Sequence, residues 1–155
     1  MSSTPFDMPG IRLPPARSAA EANLPDDTPI IGVVAGGSAR AYLVTAMEAM
    51  NGHVVNDLVG GTPVTITYCD RTQCVHAFTD KAGGEPLKID LGGFVDRMLL
   101  KVGDTFFFQD TGEDFVKERG TAFPYATHPY ELTTWKRWKD AHPSTEVYTG
   151  PKMQN

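Results

Sequence analysis

No stretch of this chain approaches the roughly 20 consecutive apolar residues that cross a bilayer. The longest candidate, "IIGVVAGG" from Ile30, has the length of a strand, so no membrane span is expected. Basic charge is also scarce: 14 lysines and arginines stand against 19 aspartates and glutamates, a formal net charge of −5. A phosphate backbone would meet repulsion instead of a basic footprint, so nucleic acid is not an expected partner. Serine occurs five times, never in a Gly-x-Ser-x-Gly elbow, and no pair of carboxylates has a spacing that suggests acid and base partners. An enzyme of the hydrolytic kind is not expected. Only two cysteines are present, a count compatible with one disulfide or one thiolate metal site, and it does not fix the compartment.

Glycine and proline, by contrast, are plentiful at 15 and 12 of 155 residues, which points to turns and short strands in preference to long helices. The length suits one domain with one core. Residues 1–29 are rich in proline and small residues and lack periodicity; they are expected to form an extended or disordered arm, with the domain occupying 30–155. They also lack the basic-then-apolar pattern of a secretory signal. "IIGVVAGGSARAYLV" has the pattern of a hairpin turning at Gly36 and Gly37, and "VGGTPVTITYC" that of a second Gly-Gly turn feeding a β-branched strand. "AGGSAR" lacks the three-glycine spacing of a dinucleotide-binding turn. Strands are further expected at "CVHAF", "PLKIDL", "RMLLKV", "TFFFQD" and "TEVYTG". "TAMEAM" suits a helical turn or two with Met47 and Met50 as core residues. "TTWKRWKDAHP" suits a helix capped by a hydroxyl, with Trp135 and Trp138 on one face. The fold class is therefore mainly β (α+β): one domain of hairpins with one late helix.

Several stretches together resemble a bacterial family catalogued as domain of unknown function 3179: "IIGVVAGGSARAYLV", "HVVNDLVGGTPVTITYC", "QDTGE" and "TTWKRWKDAHPSTEVY", in order from Ile30 to Thr149. The resemblance implies a β-rich domain with a late helix, carried by exported proteins, hence a periplasmic or otherwise exported location. It assigns no activity. The family pattern follows Thr-Tyr-Cys with Pro-Leu-Cys; here Cys69 is followed by Asp70, Arg71 and Thr72, and the second cysteine is Cys74. Aligned without gaps, His76 falls where the family has an apolar residue, and Arg97, Met98 and Leu99 replace its Asn-Ser-Asp. His53 matches a histidine of the family.

Strand alternation puts Cys74 and His76 on one face, a two-ligand pincer, and the excursion through Asp70 to Gln73 can bring Cys69 back beside them. Thiolate, imidazole and thioether are the donors of electron-transfer copper sites, whereas zinc takes cysteine and histidine without calling for methionine. The candidate ligands are Cys69, Cys74, His76, Met98 and His53, and the expected cofactor is copper, one or two ions, in preference to zinc. In inventory the set resembles the binuclear purple centre of respiratory oxidases, although the cysteine spacing differs; a mononuclear thiolate centre is the alternative. His53 and Met98 also fit as a hydrogen-bonded structural histidine and a core methionine. His128 reads as a loop residue or exogenous ligand, and His142 as a helix-end structural residue.

The leading expectation is a copper protein that transfers single electrons to a redox partner protein. Two alternatives stay open: a copper storage or delivery protein with the same ligands, and a noncatalytic binding domain stapled by a Cys69–Cys74 disulfide that presents "TFFF" or "FPY" to a ligand.

Overall fold

A computed structural model describes residues 5–80 and 84–150. In chain order the elements are β1 (Ile11–Arg12), β2 (Arg17–Ser18), the short helix α1 (Ala19–Ala22), β3 (Pro29–Ala35) and β4 (Ser38–Leu43). Two 3₁₀ turns, Val44–Met47 and Met50–Gly52, lead into β5 (Val54–Val59), β6 (Thr62–Cys69) and β7 (Cys74–Thr79). Then come β8 (Asp90–Val95), β9 (Arg97–Val102), β10 (Thr105–Phe108), β11 (Ala126–Thr127), β12 (Glu131–Thr134), the late helix α2 (Trp135–Ala141) and β13 (Glu146–Tyr148). The chain is mainly β-structure, as the glycine and proline content predicts.

Both Gly-Gly pairs close hairpins, β3–β4 and β5–β6, and all four glycines adopt positive φ, which a residue without Cβ reaches at no steric cost. The two tips touch: a side chain on Gly36 would run into the carbonyl oxygen of Gly60.

Three sheets stack. The middle one has the order β1-β5-β6-β7-β11, one outer sheet β10-β9-β8, and the other β12-β3-β4-β13-β2. Ile31, Val33 and Tyr42 of the last sheet meet Val55, Ile66, Tyr68, Val75 and Ala77 of the middle one. On the opposite face of the middle sheet, Val54, Cys69 and Phe78 meet Leu91, Met98 and Leu100. Helix α2 covers the far side of the β3–β4 sheet with Trp135 and Trp138, packed on Ile30, Ala41 and Val147. Its N-cap is Thr134, whose side chain accepts from the Arg137 amide, and Pro143 follows its end.

The middle sheet is therefore buried on both faces, and β6 has no exposed residue. Its two buried threonine hydroxyls have partners, as burial of polar groups requires. Thr65 donates to Asn56 Oδ1 at 2.8 Å, and Thr67 donates to the His76 carbonyl at 2.7 Å.

One segment differs from the sequence expectation. "PLKIDL" pairs only from Asp90, yet Leu87 and Ile89 are buried. The Asn56 amide replaces a ladder there: Nδ2 donates to the Ile89 carbonyl at 2.9 Å and Oδ1 accepts from the Ile89 amide at 3.2 Å. The arm, described from residue 5, runs along the domain. Phe6 and Met8 hydrogen-bond Gly92 and Leu91, β1 pairs in parallel with β5, and β2 pairs with β13. Ser18 and Glu21 cap α1 reciprocally.

Candidate metal centre

The hairpin β6–β7 positions the two cysteines. Cys69 and Cys74 are register partners on the last rung before the connection Asp70–Gln73, followed along the ladder by Thr67 opposite His76 and Thr65 opposite Phe78. Residues directly opposite share a face, with Cα atoms about 4.5–5.5 Å apart. Both thiols and the His76 imidazole therefore occupy the face that meets Met98. The sulfurs are not bonded to each other: both cysteines are free, Cys69 buried and Cys74 half-buried.

Cys69 forms part of the wall of a cavity of about 420 Å³ between the middle sheet and the β8–β9 hairpin. His53, Met98 and Met50 line the same cavity, with Phe6 and Phe94 among its apolar walls. Four donors thus come from separate places in the chain: the turn before β5, the end of β6, and β9. The 3₁₀ turns fix the imidazole. His53 Nδ1 lies 2.8 Å from the Met47 carbonyl oxygen, which can only accept, so Nδ1 carries the proton and donates. Nε2 lies 3.2 Å from Asp70 Oδ1 beside the cavity, a contact that is a hydrogen bond only with a proton on Nε2; a metal ion held at Nε2 would take the place of that proton. A backbone carbonyl that fixes the tautomer in this way is the usual outer partner of a metal-binding histidine.

Cys74 and His76 lie beyond the cavity wall, on the Cys69 side. Burial pushes the Cys74 thiol above its ordinary range, with Asp110 and Cys69 adding to the effect. Burial also lowers the His76 imidazole, against an opposing pull from Asp110, so the ring is neutral at pH 7 and free to donate a lone pair. The Gln109 side-chain amide spans the hairpin, donating to Thr67 Oγ1 at 3.0 Å and to the Cys74 carbonyl at 3.1 Å. Its backbone amide donates to the Met98 carbonyl at 2.9 Å. One residue thereby ties the cysteine hairpin to the methionine strand.

The five sequence candidates thus fall into two adjoining groups: His53, Cys69 and Met98 at the cavity, and Cys74 with His76 on the neighbouring strand. Among the described residues, no three His, Cys, Asp or Glu side chains stand arranged around a common point that could hold a metal ion. Closure around an ion would need the thioethers or a movement of side chains. Met47 is fully buried as expected, but Met50 is 52% exposed and faces the cavity instead of the core. His128 Nε2 meets the Val34 carbonyl at 3.1 Å, and His142 caps α2 with its ring 4.1 Å from that of Trp138. Of the proposed aromatic surface, Phe107 is buried and Phe123 packs against Phe78 and Phe107. Sequence gives no pointer to Gln109 or Asp70 at the cavity, and it places Met50 in the core although Met50 lies one helical turn before His53.

A model of the family described as "Protein of unknown function (DUF3179)" matches residues 7–155. No curated protein and no solved structure matches the chain.

Proposed function

We propose that this chain, which belongs to the DUF3179 family, binds copper between the β6–β7 hairpin and β9 and uses it to transfer single electrons to a redox partner protein in an exported, periplasmic setting. The observation that carries the reading is the opposition of two unbonded thiols, Cys69 and Cys74, on a buried face under Met98. His53 stands on the cavity side of this pair and His76 on the other strand. Paired thiolates with an imidazole toward each end suit a binuclear centre with bridging sulfur; a single ion would take the cavity group alone. Soft sulfur donors favour copper over oxygen-seeking metals. Strands buried on both faces restrict ligand movement between the two oxidation states.

Titration of the purified, reduced chain with cupric ion, alone and with an equal amount of cuprous ion, followed by visible and electron paramagnetic spectra, tests this. The expected result is intense sulfur-to-copper absorption that disappears in Cys69→Ser, with seven hyperfine lines for two coppers sharing an electron, a pattern that Cys74→Ser removes, or four for one ion at the cavity group. The same opposed register also suits a cross-strand disulfide. A colourless protein with no free thiol after aerobic purification would replace the copper reading with a stapled, noncatalytic domain.

A further inference from the structure

Met50 is a long apolar side chain left 52% exposed, while Met47, at the end of the preceding turn, is fully buried. Its thioether lines the mouth of the cavity shared by His53, Cys69 and Met98. The same short segment prepares the imidazole: the His53 amide donates to the Met50 carbonyl at 3.4 Å, and its ring is held by the Met47 carbonyl. One turn thus supplies an imidazole locked in orientation and, beside it, an unbranched thioether that is free to swing. Across the cavity stand a buried thioether, Met98, and a buried thiol, Cys69.

We propose that Met50 is a cuprous-ion ligand, closing over copper at the cavity mouth to complete a set with His53 Nε2, Cys69 Sγ and Met98. This inference rests on the copper reading above. Charge is compatible with it. One thiolate, one neutral imidazole and two thioethers around a monovalent ion sum to zero, and the charged side chains that line the cavity with Phe6, Leu91 and Phe94, Asp70 and Arg71, formally offset each other. Two thioethers are also soft donors, matched to cuprous copper. The flexible methionine stem lets the ligand move without moving the backbone. Met50 would therefore stabilise the reduced ion selectively and serve as its point of entry from solvent.

The test uses the full chain, anaerobic and reduced, with cuprous ion partitioned between the protein and the chelator bicinchoninate. In Met50→Leu, an exposed substitution that preserves shape, cuprous affinity should fall about tenfold while the sulfur-to-cupric absorption keeps its position and intensity. For a one-electron couple that selective loss equals a drop of about 59 mV in potential. X-ray absorption on the cuprous form should show one fewer copper–sulfur contact in the variant. Cuprous affinity within twofold of the parent, or an equal loss for both oxidation states, overturns the role of Met50 and leaves the copper reading standing. If the parent chain takes up neither form of copper, both fall together.

Discussion

Cys69 stands directly across the β6–β7 ladder from Cys74, yet the two thiols differ in access: Cys69 is 2% exposed, whereas Cys74 is half-buried. A maleimide reagent applied to the native, metal-free protein should therefore modify Cys74 well before Cys69, with both reacting once the chain is unfolded. Peptide mass mapping over time reads this directly. Equal rates in the native state would mean that the hairpin end opens as a unit.

Gln109 holds the hairpin to β9 through its side-chain and backbone amides. Gln109→Ala leaves Thr67 and the Cys74 carbonyl each short of a donor in a buried site, so a loss of about 1–3 kcal/mol is expected in urea denaturation. The sulfur-to-copper absorption of the loaded variant should also broaden as Cys74 and Met98 lose their common tie.

A second buried network joins the middle sheet to the β3–β4 sheet. Asp57, 2% exposed, accepts from Tyr42 at 2.6 Å, from Arg40 at 2.8 Å and from the Leu58 amide at 2.8 Å. Arg40 also pairs with Glu146. Burial, reinforced by Asp57, holds the Tyr42 phenol well above its ordinary range and pushes Tyr148 up to about 12. Arg40→Met should cost about 3–5 kcal/mol, because the carboxylate stays buried without its cation. The double variant Arg40→Met, Asp57→Asn should recover part of that loss in the same denaturation assay.

Acid should weaken the apo protein in two steps. His76 resists protonation in the folded state, so the unfolded chain binds its proton more readily. Its contribution is fully present above the ordinary value of 6.5 and is lost as pH falls below it. Asp114 behaves in the same sense farther down: Arg119, together with the Thr121 and Val116 amides, holds its carboxyl below the ordinary 3.8, and that stability is lost as pH falls below 3.8. Thermal melts across pH should show the first step vanish in His76→Gln while the second remains.

Much of the architecture was legible because local rules and tertiary packing agree. The Gly-Gly turns, the β-branched run of β6 and the paired tryptophans of α2 each state one conformation. Local pattern is silent where side chains take over work normally done by backbone. The proline-rich arm is anchored in part by Asn56, whose Nδ2 donates to the Ile11 carbonyl at 3.2 Å. The same amide satisfies Ile89 in place of a neighbouring strand. Neither role has a local sequence pattern. At the candidate site, the face shared by Cys74 and His76 followed from alternation alone. The cavity did not, since it depends on how the β8–β9 hairpin lies over β6, and no periodicity reveals that.

The turn between the cysteines lies outside the ladder, so the spacing of the thiols is set by strand pairing and the tip is free to vary in length. A shorter tip would leave the same rung in place; in this chain the Asp70–Gln73 tip leaves Cys69 and Cys74 facing each other there. What the longer tip adds is a rim: Asp70 reaches His53, and the Arg71 guanidinium lies 4.5 Å over the Phe94 ring. Changes in such a loop can therefore reshape access to the sulfurs, and the charge at the cavity rim, without disturbing the sulfurs themselves.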